Sequence, residues 1–162
     1  MTTVSTMSID AAIDVANEIL THLKNAHKNL ISAKKWGVFD ILGGKLIATA
    51  GKHEQMELAQ KELTQAVSKF ALLKKLVSYY DYLQNYDLRV NDISMVMDYL
   101  FDNPITDFIT QSKIKNNIID VEDGIAQMHV IIEDLYRQET EAADELLKRV
   151  DELKKQRAAG TR

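Results

Sequence analysis

The segment Val38–Ile47, VFDILGGKLI, has a counterpart in Val96–Ile105, VMDYLFDNPI, and these two segments give the clearest indication of the architecture. They are 58 residues apart, and at this offset valine, aspartate, leucine and isoleucine coincide. The apolar positions between them stay apolar. We call each segment with its immediate flanks a box.

The match between the two halves continues downstream of the boxes without a gap. Apolar residues of 56–77 fall on apolar residues of 114–135 at the same offset. A shared offset over so many positions predicts one unit used twice, at 36–85 and at 94–143. Each unit consists of a short apolar segment, a break and a long helix.

The composition is that of a folded protein built from long helices. Of 162 residues 46% are hydrophobic and 27% charged, which excludes a disordered chain. There is one proline, and four of the six glycines lie between Gly37 and Gly51, so helix breakers are rare elsewhere. The absence of cysteine excludes a disulfide and a thiolate zinc site. Because Met1–Ser8 lacks the features of a signal peptide, we expect a cytoplasmic protein.

Three long helices are predicted, over about 9–35, 45–85 and 104–156, in a single domain of residues 1–157 with a disordered tail at 158–162. Each helix carries apolar residues at alternating steps of three and four, the pattern of a helix packed along its length against others. These apolar seams are Ile9, Ile13, Ala16, Leu20, Leu23, His27 and Leu30; Met56, Ala59, Leu63, Ala66, Phe70, Leu73, Val77 and Tyr80; and Ile114, Ile118, Val121, Ile125, Met128, Ile132, Leu135, Glu139, Ala142, Leu146, Arg149 and Leu153.

The predicted helix ends depend on capping residues. Ser8 is the expected N-cap of the first helix, and Asn103 followed by Pro104 is the expected start of the third. The first helix is expected to end near Lys35. Gly43-Gly44 is expected to stop a separate short helix in the first box, because glycine is favoured after a helix C-terminus.

Three apolar seams predict an all-α fold: an elongated antiparallel three-helix bundle or coiled coil, with two short helices at the repeated boxes. In this arrangement an approximate twofold relates the second and third long helices and places the boxes at opposite tips. From Arg137 onward the third helix is almost entirely charged, so it either projects beyond the bundle or pairs with another copy. The alternative is that the long helices pair across a homodimer.

The first box is the most plausible functional segment of the chain. One interpretation is a corner between helices, with Trp36 and Phe39 closing the end of the core. A second is an apolar tip that docks a partner protein. A third is a tip that enters a membrane interface, helped by the flanking lysines Lys34, Lys35, Lys45 and Lys52. The candidate interaction residues are Trp36, Phe39, Leu42, Leu46 and Ile47.

The first box also resembles a motif of known proteins. Trp36-Gly37, Asp40 and Leu42-Gly43-Gly44, followed by Lys52-His53, resemble the Trp-Gly-x-x-Asp-x-Leu-Gly-Gly…Lys-His box of uncharacterised helical proteins of Gram-positive bacteria. The likeness covers about 20 residues, and Glu54-Gln55 departs from the Ser-Lys of that pattern. The resemblance implies a bacterial cytoplasmic protein and transfers no activity.

No pattern of residues indicates catalysis, a metal site or a cofactor. His22 and His27 are five residues apart and so lie on different faces of the first helix, where they cannot chelate one ion together. The chain contains no Glu-x-x-His pair and no phosphate-binding loop. His27 is expected to be a hydrogen-bonded histidine of the core. We therefore expect neither an enzyme nor a cofactor or metal carrier.

Charge is unevenly distributed along the chain. Residues 24–75 carry ten lysines against four acidic residues, although the whole chain has a net charge of −4. This balance suits an anionic partner, whether an acidic protein, a lipid surface or nucleic acid. The alternatives are a solvated helix face and charge pairing between the protein's own helices. Arginine is scarce in the segment, which argues against sequence-specific nucleic-acid binding. The expected function is a protein–protein interaction module whose partner is another protein or a second copy; the alternative is a peripheral protein on an anionic membrane surface.

Overall fold

The computed structural model describes residues 2–41, 45–84 and 114–159, and the side chains of 9–36, 50–78 and 117–159. These residues form three α-helices, which are α1 (Thr2–Ile41), α2 (Lys45–Gln84) and α3 (Ile114–Ala159). The described parts contain no strand, and the predicted all-α fold is confirmed. The second box, at 94–105, and the start of the third helix predicted at Asn103 lie outside the described residues.

α1 packs against both α2 and α3. Contacts with α2 join Glu18 to Lys69 and His22 to Glu62, so positions on α2 fall as positions on α1 rise. Positions on α3 also fall as positions on α1 rise, because Asp10 contacts Glu139 and His27 contacts Glu122. Both neighbours are therefore antiparallel to α1 and parallel to each other.

The direction of α3 contradicts one detail of the sequence prediction. A twofold that places the boxes at opposite tips requires the second and third long helices to run in opposite directions, whereas α2 and α3 run in the same direction against α1. The prediction was wrong because an apolar seam specifies that a helix is packed, but does not specify which neighbour it packs against or in which direction. Antiparallel packing holds for each helix against α1.

The core is one continuous apolar cluster along the three seams. Every predicted seam residue of α2 from Met56 to Val77 is buried, with at most 6% of each exposed. Burying each large apolar side chain contributes about 1.5–3 kcal/mol, so this face rather than helix propensity holds α2 in place. The buried members of the cluster are Ile9, Ala12, Ile13, Val15, Ala16, Ile19, Leu20, Leu23, Ala26, Leu30, Ala33, Met56, Ala59, Leu63, Ala66, Phe70, Leu73, Val77, Ile118, Val121, Met128, Ile132 and Leu135.

α3 also buries polar side chains. Asn117 and Gln138 are more than nine-tenths buried, and Asn117 Nδ2 and Gln138 Oε1 have no hydrogen-bond partner. A buried polar atom without a partner costs about 1–3 kcal/mol. The seam of α3 is therefore weaker than the uninterrupted seam of α2.

α1 is longer than predicted at both ends. Ser8, the expected N-cap, lies inside the helix, and the backbone stays helical through Trp36 and Gly37 to Ile41. The first half of the first box is therefore the last turn of α1, and the separate short helix predicted there is wrong. A glycine inside a helix costs only about 1 kcal/mol, so Gly37 without a neighbouring proline does not end α1.

The position of His27 also differs in part from the prediction. Ala26, and not His27, takes the fully buried position between Leu23 and Leu30. His27 lies at the edge of the core with 29% of its side chain exposed, and its ring hydrogen-bonds to Glu122. At this point the seam of α1 therefore lies one residue before the predicted position.

α3 extends past the first residue of α1. Asp10 and His27 are seventeen positions apart, and so are their partners Glu139 and Glu122. The two helices therefore keep one register between these contacts. Thr2, the first residue of α1, is then level with about residue 147 of α3. Residues 148–159, which we call the projecting segment, continue for about 18 Å beyond it, and all of them are exposed.

Candidate interaction surfaces

The first candidate surface is the end of the α1–α2 hairpin, where Trp36 lies. The indole ring packs on the backbone of Gly51 in α2, so closely that a Cβ at Gly51 would lie 2.9 Å from Cε2 of Trp36. Trp36 is nevertheless 37% exposed. The ring therefore covers the small residue while it presents part of its face at the surface.

Of the five predicted interaction residues, the described side chains include only Trp36. Phe39, Leu46 and Ile47 have helical backbone at the facing ends of α1 and α2, and their side chains lie outside the described set. Leu42 lies outside the described residues altogether. These four residues stay predictions.

Basic residues lie beside Trp36. Lys34 and Lys35 precede it on α1 and are both exposed, whereas Lys52 on α2 is half-buried. An exposed part of an indole next to two lysines presents apolar and cationic groups together. This combination suits an anionic amphipathic partner.

The second candidate surface is the C-terminal half of α3. Leu147, Val150 and Leu153 are 64%, 42% and 64% exposed. From the sequence we expect this half to project or to pair, with its seam on Leu146, Arg149 and Leu153. The structure shows Leu146 half-buried against the bundle and Leu147 and Val150 on the outside.

A second line of residues on α3 was missed by the sequence analysis. Tyr136, Thr140, Ala143, Leu147 and Val150 follow each other at steps of four and three, and all five are exposed. We call these residues the outer stripe. At 100° per residue it lies roughly 100° around the helix from the seam that faces α1. Its spacing was visible in the sequence, but Thr140 and Ala143 carry little apolar signal.

The projecting segment is stabilised by contacts within its own helix. Arg149 Nη2 lies 2.6 Å from Oε1 of Glu145, and Lys154 Nζ lies 3.8 Å from Oδ1 of Asp151. Pairs at these spacings each contribute about 0.2–0.5 kcal/mol to a helix in water. They support helical structure beyond the described residues of α1.

Histidines of α1 connect it to both neighbours. His22 Nδ1 lies 2.6 Å from Oε2 of Glu62 on α2, and His27 Nε2 lies 2.8 Å from Oε1 of Glu122 on α3. In each case the ring N–H donates to the carboxylate. The predicted separation of the two histidines onto different faces is confirmed, because each contacts a different helix.

Acidic and polar residues of α1 also line a shallow, open groove that includes Asp14, Glu18 and His22. Glu18 pairs with Lys69, and His22 with Glu62, so these two side chains link α1 to α2. Within the described parts of the chain, no group of three or more histidines and carboxylates is placed to hold a metal ion. The side chains that line the groove therefore serve the packing of α1 against α2.

One titratable group is perturbed where α1 and α3 meet. The pKa of Glu139 is raised, and the largest cause is burial. A hydrogen bond that protonated Glu139 donates to the Asp10 carboxylate, and repulsion between the two charges, raise it further. Asp10 is exposed and Glu139 is half-buried. The pair lies about 12 Å along α3 from the level of Thr2, the first residue of α1.

Comparisons with protein-family models, with curated proteins and with solved structures gave no match. The resemblance of the first box to helical proteins of Gram-positive bacteria therefore stays a prediction. None of the helices, over the residues that the structure describes, combines the length and the apolar character needed to cross a membrane.

Proposed function

We propose that this protein is a non-enzymatic helical interaction module, which acts as an adaptor, a scaffold or a factor that neutralises its partner. The observation that carries the proposal is the projecting segment together with the outer stripe. A helix that extends about 18 Å beyond the first residue of α1 while exposing Leu147 and Val150 has apolar surface that the described part of the chain does not cover. Such surface along a helix is typical of helix–helix recognition.

The test compares two substitutions of the same residue type on the same helix. Val150→Asp places a charge in the outer stripe, whereas Val130→Asp places it at a valine that is 60% exposed on the opposite face of α3. Tagged full-length protein is used to capture partners from its native host. We expect Val150→Asp to lose a stoichiometric partner that wild type and Val130→Asp retain, with equal helical content by circular dichroism. Equal capture by all three proteins would contradict the proposal.

A second candidate function is supported by the hairpin end. Trp36 lies partly exposed beside the exposed Lys34 and Lys35, so this end presents an aromatic ring with cationic neighbours. Aromatic rings and lysines together favour the interface of an anionic membrane. In this alternative the protein is peripheral and uses the segment 36–51.

Sedimentation with vesicles distinguishes the alternative from the leading proposal. A peripheral protein sediments with phosphatidylglycerol vesicles at low salt, and Trp36→Ala reduces the bound fraction. Vesicles of neutral lipid are the control, because they lack the charge that attracts Lys34 and Lys35. Protein that stays in the supernatant with both vesicle types would eliminate the membrane function.

A further inference from the structure

The outer stripe has the geometry of one half of a two-helix coiled coil. Its five residues keep the alternation of four and three that lets one helix follow another along its length. Tyr136 is 48% exposed, and Leu147 is 64% exposed. Because the stripe is turned roughly 100° from the face on α1, a second helix can lie along it without displacing the bundle.

We infer that the outer stripe and the projecting segment bind the same surface of a second copy of this chain, with the two α3 helices antiparallel. The inference deepens the proposed function and rests on it, because it names the partner of the surface described there. It predicts a homodimer with twofold symmetry, in which each copy contributes the same patch.

The distribution of charge along α3 favours a second copy as the partner and an antiparallel orientation of the two helices. Residues 136–147 contain Arg137 and four carboxylates, whereas residues 148–159 contain five basic and two acidic residues. The first half has a net charge of −3 and the second half +3. Antiparallel pairing of two copies places each negative half opposite a positive half, whereas parallel pairing places like charges together.

The apolar residues set a register that agrees with the charges. When Leu147 of one copy faces Val150 of the other, residues 139–145 lie opposite residues 152–158. The first range carries four carboxylates, and the second carries Lys154, Lys155 and Arg157 with a single carboxylate. Near the twofold axis the two leucines and two valines form the apolar centre of the interface.

Sedimentation velocity of the full chain over a range of concentrations tests self-association. We expect wild type and Val130→Asp to form a dimer, and Val150→Asp to raise the dissociation constant at least about tenfold, because a charge enters the apolar centre. The position of residue 150 beyond α1 keeps the monomer folded, which circular dichroism verifies. A wild-type monomer at every concentration, or equal dissociation constants for the three proteins, would overturn the inference.

The direction of pairing is tested with single cysteines, because the chain has none of its own. Thr140→Cys and Arg157→Cys are treated with a short bismaleimide, separately and mixed. In the antiparallel dimer the two residues face each other, whereas identical positions lie roughly 25 Å apart, so only the mixture gives the crosslink. Crosslinking of each variant with itself would show a parallel dimer and overturn the inference.

The proposed function and this inference fail in different ways. A wild-type monomer that still captures a different protein, and loses it on Val150→Asp, would overturn self-pairing and support the interaction module. A dimer that Val150→Asp dissociates, and that crosslinks only in the mixture, supports both. A dimer that Val150→Asp leaves intact would overturn the inference, since it would place the interface elsewhere.

Discussion

Gly51 allows the indole ring of Trp36 to lie against the backbone of α2. A methyl group at this position would lie 2.9–3.3 Å from three ring atoms. The ring is partly exposed and can turn outward, whereas a shift of either helix would disturb the core beneath it. The close approach is therefore a local property of two residues at the hairpin end.

Gly51→Ala should move the indole into solvent with little change in stability. Alanine gains about 1 kcal/mol of helix propensity over glycine, which offsets the packing that the ring loses. Because Trp36 is the only tryptophan, its fluorescence reports the change directly, and we expect a red-shifted emission maximum. Ala50→Ser, at the exposed neighbour, is the control. An unchanged emission maximum in Gly51→Ala would contradict the contact.

Glu139 and Asp10 give the contact between α1 and α3 a dependence on pH. The folded-state pKa of Glu139 is raised, so this group stabilises the fold below its unfolded value, near pH 4, and the contribution is lost as pH rises through the raised value. Glu139→Gln should therefore increase the free energy of unfolding at pH 7 and have a smaller effect at pH 4. Solvent screening limits the gain to about 0.5 kcal/mol.

Urea unfolding at the two pH values measures this effect. Glu141→Gln is the matched control, because it removes the same charge from an exposed position on the same helix. A gain for Glu139→Gln that is equal at both pH values, or equal to that of Glu141→Gln, would show that proximity to Asp10 has no effect.

At the scale of the element, α2 is held in the bundle by one buried apolar face. Leu73 is fully buried, whereas its neighbour Leu72 is 42% exposed. Leu73→Ala should lower the free energy of unfolding by about 2–5 kcal/mol, and Leu72→Ala by less than about 1 kcal/mol. Thermal or urea unfolding of the two variants measures the difference. Equal losses would mean that α2 is not packed through the face described.

The sequence predicted the elements with different success, for physical reasons. The seam of α2 was correct throughout its described length because apolar residues recur there without interruption. The ends of α1 were wrong because a serine and a glycine permit a helix boundary without requiring one. The outer stripe was missed because its two large aliphatic residues are separated from Tyr136 by Thr140 and Ala143, which carry little apolar signal.

At the scale of the whole molecule, the arrangement of helices was harder to predict than their existence. An apolar seam leaves the neighbour and the direction open, and the parallel relation of α2 and α3 appears only in contacts such as His22–Glu62 and His27–Glu122. The same holds for the candidate surfaces. Trp36 was identified from the sequence alone. The bounds of the projecting segment could be defined only after the start of α1 was located relative to α3.

The central claim is that the projecting segment is interaction surface rather than core. Hydrogen exchange along α3, followed by mass spectrometry at low and high protein concentration, tests it most directly. We predict slow exchange over 118–135 at both concentrations, fast exchange over 148–159 in dilute protein, and protection of 148–159 as concentration rises. Slow exchange of 148–159 in dilute protein, or fast exchange at both concentrations, would contradict the claim.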